Sequence, residues 1–395
     1  MSSEWKEYKL KDFARINPTE RIPKGTIAKK IPMEFVQPFT KRIPNYLLEE
    51  YKGGVKFRNG DTLMARITPS LENGKISFVD ILDEDEIGYG STEYIVLRAK
   101  DNISDKHFLY YLAVSPTIRF TAIKSMTGSS GRQRVQTDVV KEHVFDAPEL
   151  PEQRAIASVL SSLDDKIDLL HRQNQTLEQM AETLFRQWFV EEANEGWEAT
   201  SLYDAVELVG GGTPKTSIEE YWNGKIKWLS GGDISSNHKS IITRSEKTIT
   251  EAGLNNSSTK LLPKYCTVIS ARGTVGKYCI LSEPMAFSQS NYGIKPKYQD
   301  CYFFTYLLIN HSVEELNSAA YGSVFDTITT NTFKRLDVAL PSEIEIQNFE
   351  AKVEDYFFKI LNNQTQIHTL SALRDTLLPK LMSGEVRVQQ ELKIP

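Results

Sequence analysis

From residue 152 to residue 192 the chain contains neither proline nor glycine. That permits one long helix, and the apolar spacing argues for it. Ile156, Leu160, Leu163, Ile167, Leu170, Leu177, Ala181, Leu184 and Trp188 recur at alternating steps of four and three, with Asn174 in the one remaining slot. This is the a/d seam of a coiled coil sustained over more than four heptads. At 1.5 Å per residue the helix would be roughly 60 Å long. A single apolar seam of that length needs a partner seam, and locating it determines the architecture.

A second seam lies near the other end. After Leu340-Pro341, a helix expected from Glu345 carries Ile346, Phe349, Val353, Tyr356, Ile360, Asn363, Ile367, Leu370, Leu377 and Leu381 at the same steps, with Arg374 in one slot. Pro379 is expected to kink or stop it, and Ser383-Gly384 closes it.

The stretches before each helix repeat in order. Trp5 opens the first and Trp197 the second. Each holds a β-rich block and a Phe-x-x-Tyr-Leu helix: Phe108, Tyr111, Leu112, then Phe303, Tyr306, Leu307. Each follows with a Gly/Ser loop, a Leu-Pro and a glutamine (Gln153, Gln347). Lys166-Ile167 recurs as Lys359-Ile360. This is the duplication of one large unit rather than a solenoid of short repeats. The expected fold class is α/β (α+β): two β-rich globular domains, 1–147 and 196–340, joined by long helices in 148–195 and 341–395. If the ends of the second block lie close together, the helices run antiparallel with pseudo-twofold symmetry. Asn174 and Asn363 are then expected to meet and help fix register, the alternative being two solvated side chains at a loose seam.

Within the first block, Asp61–Ile67, Lys75–Val79 and Tyr94–Leu97 read as strands, with Glu72-Asn73-Gly74 a hairpin-type turn. Asp105–Ala113 reads as a helix capped by Asp105. A polar, proline-punctuated stretch runs to about Tyr51. In the second block Lys227–Leu229, Thr267–Ala271 and Tyr278–Leu281 read as strands, Cys301–Ile309 as a helix, and Tyr321–Asp326 as a polar loop.

The formal net charge is −5, but it is unevenly spread. The acid excess lies on the two helical segments, whereas the first block is slightly basic and the second neutral. Nucleic acid is therefore not excluded for the blocks. No apolar run is long enough for a membrane span. The opening MSSEWKEYKL lacks a signal-peptide core, and three cysteines (Cys266, Cys279, Cys301) form no disulfide or metal pattern. A cytoplasmic setting is expected. Enzyme motifs fail one by one. Asn17-Pro18-Thr19 is not a methyltransferase Asn-Pro-Pro-aromatic motif, Gly211-Gly212-Thr213 lacks the Walker lysine, and six histidines lie scattered.

PEQRAIASVLSSLDDKI…LFRQWF, DTLMARITPSLENGK, GSTEYIVLR (Gly90–Arg98), TGSSGRQRV (Thr127–Val135) and ISARGTVGK (Ile269–Lys277) resemble the specificity subunit of Type I restriction-modification systems. The resemblance covers the whole chain. LPSEIEIQ (Leu340–Gln347) departs from a simpler Pro-x-x-Glu-Gln at the second helix. The resemblance implies a non-catalytic subunit whose two domains each read one half of a bipartite, asymmetric double-stranded DNA target. The coiled coil would set an unread spacer and dock two modification (methyltransferase) subunits, which restriction (translocase/endonuclease) subunits join. No cofactor is implied for this chain, while the partners would use S-adenosylmethionine, ATP and magnesium. A rival of another class is a coiled-coil scaffold whose domains bind proteins.

Several residues are candidate DNA contacts. Arg66, Ser70 and Lys75 flank a loop after a strand, where an arginine can reach a guanine edge; the alternative for Arg66 is a salt bridge within its domain. Arg132, Gln133 and Arg134 occupy a Gly-rich loop with donors suited to purines or phosphates, against an ordinary exposed loop. Arg272 and Lys277 bracket Gly273 and Gly276, a shape that lets backbone approach phosphate. Lys239, Ser290, Asn291 and Lys215 complete the set. Arg154, Asp165, Arg172, Glu178 and Arg186 are expected on a solvated helix face. Phe185, Trp188 and Phe189 either pack under the second block or dock a methyltransferase subunit.

Overall fold

Both long helices form, as Leu150–Arg186 and Glu343–Met382, in a computed structural model that describes residues 5–129, 131–321 and 327–388. The chain gathers into two units, 1–169 with 366–395 and 170–365. The division falls inside both helices, so each unit contains half of each. Among the described residues no helix is long and apolar enough to cross a membrane.

In the first unit, Lys6–Lys9 pairs antiparallel with Val144–Ala147, closing the block at its two ends. One four-stranded sheet has the order Ala14–Ile16, Tyr94–Ala99, Thr62–Ala65, Ile76–Phe78. The other has the order Leu47–Glu50, Ile27–Ile31, Gly88–Gly90, Val55–Phe57, with its central pair parallel. The stretch before Tyr51 is thus not merely polar connection. Its strand IAKKI hides its character because the inward Lys29 is buried and ion-paired with Asp83 and Glu86. Asp105 caps the helix Lys106–Val114 by accepting from the N–H groups of His107 and Phe108. The expected hairpin turn is instead part of a longer connection, 66–75. There Gly74 has φ +75° and an added Cβ would lie 2.5 Å from the Phe39 ring. That backbone and that contact both require glycine.

The second unit repeats this plan. Glu198–Ser201 pairs with Asp337–Leu340. A sheet ordered Val206–Gly210, Asn291–Pro296, Thr267–Ser270, Tyr278–Leu281 gains Ile241–Ile242 as a fifth strand. A four-stranded sheet ordered Lys247–Ile249, Trp222–Leu229, Met285–Phe287, Leu261–Leu262 again has a parallel central pair. The apolar helix is longer than expected, Tyr302–Tyr321. The loop expected at Tyr321–Asp326 begins at the end of this helix, and its residues 322–326 lie outside the described residues.

The helices are antiparallel within each unit. In the first, Arg374 pairs with Asp164 at 2.8 Å and Arg387 with Glu152. In the second, the Asn363 side-chain amide donates to the Asn174 side-chain oxygen Oδ1 at 2.8 Å, and Phe349 packs on Phe185 and Trp188. Ile156, Leu160, Leu170, Asn174 and Ala181 are buried on the first helix; Ile346, Phe349, Val353, Ile360, Asn363, Ile367 and Leu381 are buried on the second. Leu163, Ile167, Leu177, Leu184, Tyr356, Leu370 and Leu377 are only half-buried. Beside several of them the next residue goes inward instead: Asp164, Phe185, Phe357 and Leu378. A helix that packs on both a partner helix and a block buries a wider arc than an a/d seam. Glu178, expected outward, is half-buried for the same reason.

The second helix starts at Glu343 and continues through Pro379 to Met382. Proline costs it one hydrogen bond within a turn of its end, where termination follows anyway. Gln153 and Gln347 are not equivalents. Gln153 is buried and accepts from the Asp105 N–H, while Gln347 is exposed and bonds Glu343. The counterpart of Gln153 in function is Glu350, which accepts from the N–H groups of Phe303 and Phe304. Each holds the start of its block's aromatic helix against a long helix. Phe185, Trp188 and Phe189 pack with Phe304 and Phe349, so this aromatic run is occupied inside the second unit.

Candidate nucleic-acid interface

At the ends of the two central strands, Thr62–Ala65 and Tyr94–Ala99, two loops of the first unit lock together. Thr68 N–H donates to the Gln133 carbonyl at 3.0 Å, and Gln133 N–H to the Thr68 hydroxyl at 3.0 Å. Arg134 exchanges two backbone hydrogen bonds with Thr127 and lies in a bridge with Ile67. Arg66 N–H donates to the Glu93 carbonyl, and its own carbonyl accepts from Val135 N–H, both at 2.9 Å. Residues 66–75, Thr127 and 131–135, and the start of strand Tyr94–Ala99 therefore form one fixed surface.

Glu93 is its electrostatic centre. Arg134 reaches the carboxylate through Nε at 3.0 Å and Nη2 at 2.6 Å, and Arg66 Nε lies 3.8 Å away. These partners, Arg134 first, hold the Glu93 carboxyl below its usual range despite partial burial. Arg132 is exposed with no side-chain partner among the described residues, and Gln133 is half-buried beside it. Ser70 is half-buried and its carbonyl accepts from Lys75 N–H. Lys75 does not join the surface, because its ammonium turns inward to the Met33 carbonyl at 2.9 Å.

The second unit has the same frame. Ala271 N–H donates to the Ser290 carbonyl at 2.9 Å, and its carbonyl accepts from Ile328 N–H at 3.1 Å. By these bonds Ala271 stands where Arg66 does, Ser290 where Glu93 does, and Thr327 where Arg134 does. Arg272, next in line, is exposed, and Lys277 is half-buried across the turn. Asn291 is unsuited to contact, being buried and donating to Ser288 and the Leu229 carbonyl. Lys239 lies instead in a cleft of about 620 Å³ lined by Glu182, Phe185 and Asn310. Lys215 is exposed on the loop whose carbonyl receives Trp222 Nε1. Sequence reasoning missed Glu93. The only signal was an acid directly before the strand in GSTEYIVLR, and its partner Arg134 lies 41 residues away.

The family model described as "Type I restriction modification DNA specificity domain" matches residues 2–179 and again 194–371. The chain belongs to this family. The two matches coincide with the two copies of the repeat, so each specificity domain carries one loop surface. The chain is 25% identical to the Type I restriction enzyme HindI specificity subunit of Haemophilus influenzae, over 97% of this chain and 100% of that one. It is 27% identical to the MjaIX specificity subunit of Methanocaldococcus jannaschii, over 74% of this chain and 71% of the relative. Its fold is similar to the crystal structure of a Type I restriction-modification S subunit from M. genitalium, with TM-score 0.61, 15% identity and 96% of both chains covered. Two specificity domains in one chain, each ending within one of the two long helices, are the setting for the two loop surfaces.

Proposed function

We propose that this chain is the DNA-reading subunit of a Type I restriction-modification complex, with each specificity domain reading one half of a bipartite target. The observation that carries this is the duplicated loop frame with exchanged side chains: Arg66, Glu93 and Arg134 in one copy, Ala271, Ser290 and Thr327 in the other. A common backbone with different donors suits two half-sites of different sequence, so the target is asymmetric. Base edges distinguish sequence, whereas phosphates position the protein. The chain performs no chemistry itself. Methyltransferase subunits dock on the long helices and bring S-adenosylmethionine, and restriction subunits bring ATP and magnesium, all in the cytoplasm. The test is to purify the chain with its methyltransferase subunits and map methylated adenines on a random duplex library. The expected result is one asymmetric motif in two parts. Duplex binding with no sequence preference would return the protein to the scaffold class.

A further inference from the structure

The Arg134 guanidinium has two hydrogen-bonding edges, and Glu93 occupies one. Nε lies 3.0 Å from both carboxylate oxygens, and Nη2 lies 2.6 Å from one of them. The outer edge, made by Nη1 and the second Nη2 hydrogen, has no partner among the described residues, and the side chain is about half exposed. Two parallel N–H groups on that edge match the N7 and O6 acceptors of guanine in the major groove. Adenine offers a donor where O6 would be, so the fork selects against it.

The edge is also preorganised. The Arg134 backbone is fixed on both its N–H and its C=O by Thr127, at 2.9 and 3.0 Å. A bidentate carboxylate then fixes the guanidinium plane, which a lysine ammonium could not reproduce. Arg66 shares the carboxylate more loosely at 3.8 Å, and its Nε is buried without a hydrogen-bond partner. Two arginines and one glutamate leave the surface net positive, as a base- and phosphate-facing surface requires.

We propose that Arg134 reads one guanine in the half-site of the first specificity domain, and that Glu93 is the positioning residue that aims it. The inference rests on the DNA-reading function proposed above and adds the base, the residue and the half. The second domain has Thr327 and Ser290 at these places, so the reading of guanine by this device is confined to one half of the target.

The test uses the full complex with its methyltransferase subunits and a randomised duplex library. The wild-type complex is expected to select a guanine at one position of one half. Arg134→Ala and Arg134→Lys should lower the preference there about 5- to 150-fold and leave the other half as selective as before. Retained selectivity in that half shows that the chain has folded and assembled. Glu93→Gln should weaken preference at the same base pair while, with one negative charge fewer on the surface, binding unrelated DNA at least as tightly as the wild type. A probe independent of folding is 7-deazaguanine at the selected position, which removes N7 alone. It should weaken wild-type binding but not that of Arg134→Ala. Preference retained in both arginine variants, with no effect of 7-deazaguanine, would make the Arg134–Glu93 pair a structural salt bridge only. A wild-type complex that selects no sequence would overturn the underlying function instead.

Discussion

At the scale of single residues, both long helices carry buried charge beside their seams, at Asp164 and Glu350, and charge there has measurable consequences. Asp164 is 8% exposed, pairs with Arg374 at 2.8 Å and accepts from the Tyr111 hydroxyl at 2.6 Å. Removing Asp164 takes away the buried partner of Arg374, leaving it the exposed Asp375 at 2.8 Å, and strips the Tyr111 hydroxyl of its close acceptor. Asp164→Ala should therefore destabilise the first unit by about 3–5 kcal/mol, whereas replacing both Asp164 and Arg374 by leucine should cost far less; denaturant unfolding of the full chain measures both. Glu350 makes a pH-dependent contribution in the second unit. Burial pushes its carboxyl from the ordinary 4.5 up to about 7, against the lowering effect of the Phe303 and Phe304 N–H groups. A carboxyl raised in the folded state binds its proton more tightly there than in the unfolded chain. Its stabilising effect is full below about pH 4.5 and is lost as pH rises through about 7, a swing of roughly 3 kcal/mol. Glu350→Gln should flatten the stability profile between pH 5 and 8. A residual slope of the same sign is expected from Glu178, which burial and then Glu182 also push up to about 7.

At the scale of elements, the long helices show what periodicity reveals and what it hides. Steps of three and four located both seams, because leucine, isoleucine and valine recur where the helices face each other. The same pattern did not find the second buried row. Two of its members, Asp164 and Glu350, are acids, which a hydrophobic pattern reads as outward. They go inward because each finds specific donors: Arg374 and Tyr111 for one, two backbone N–H groups for the other. Those donors come from distant segments that no local window contains. The loop surfaces were legible as Gly-rich segments with arginines, but the partner that organises the first, Glu93, is distant in sequence in the same way. The hidden row also holds large buried side chains. Phe357 is 2% exposed and stacks on Phe303 with centroids 4.4 Å apart, while Tyr356, on the seam, is half-buried. Phe357→Ala should cost about 3–5 kcal/mol, and Tyr356→Ala clearly less. The comparison is made on denaturation midpoints, and equal losses would put the weight back on the helix–helix seam.

At the scale of the whole molecule, duplication separates the frame from its chemistry. Both units share a four-stranded sheet with a parallel central pair and a second sheet of matching order, extended by one strand in the second unit, and both tie a long helix to the start of an aromatic helix. They differ where side chains leave the loop frame. Such a molecule can alter one half-site without disturbing the fold or the other half, since the altered residues carry none of the shared backbone hydrogen bonds through their side chains. Arg132 and Arg272 test this most directly. Both are exposed, neither has a side-chain partner among the described residues, and each sits in its own unit beside a glycine of positive φ, Gly131 and Gly273. Arg132→Ala should relax selectivity in one half of the target and Arg272→Ala in the other, each by about 1–3 kcal/mol if the arginine contacts a base. Because the two sites share no side-chain partner, the double variant should show the sum of the two losses. Methylation mapping of the three complexes reads both halves at once. If each variant instead weakened binding to all sequences equally and lowered the salt slope by about one, both arginines would be phosphate contacts. The specificity of each half would then rest on the remaining loop residues, with Arg134 and Glu93 foremost in the first.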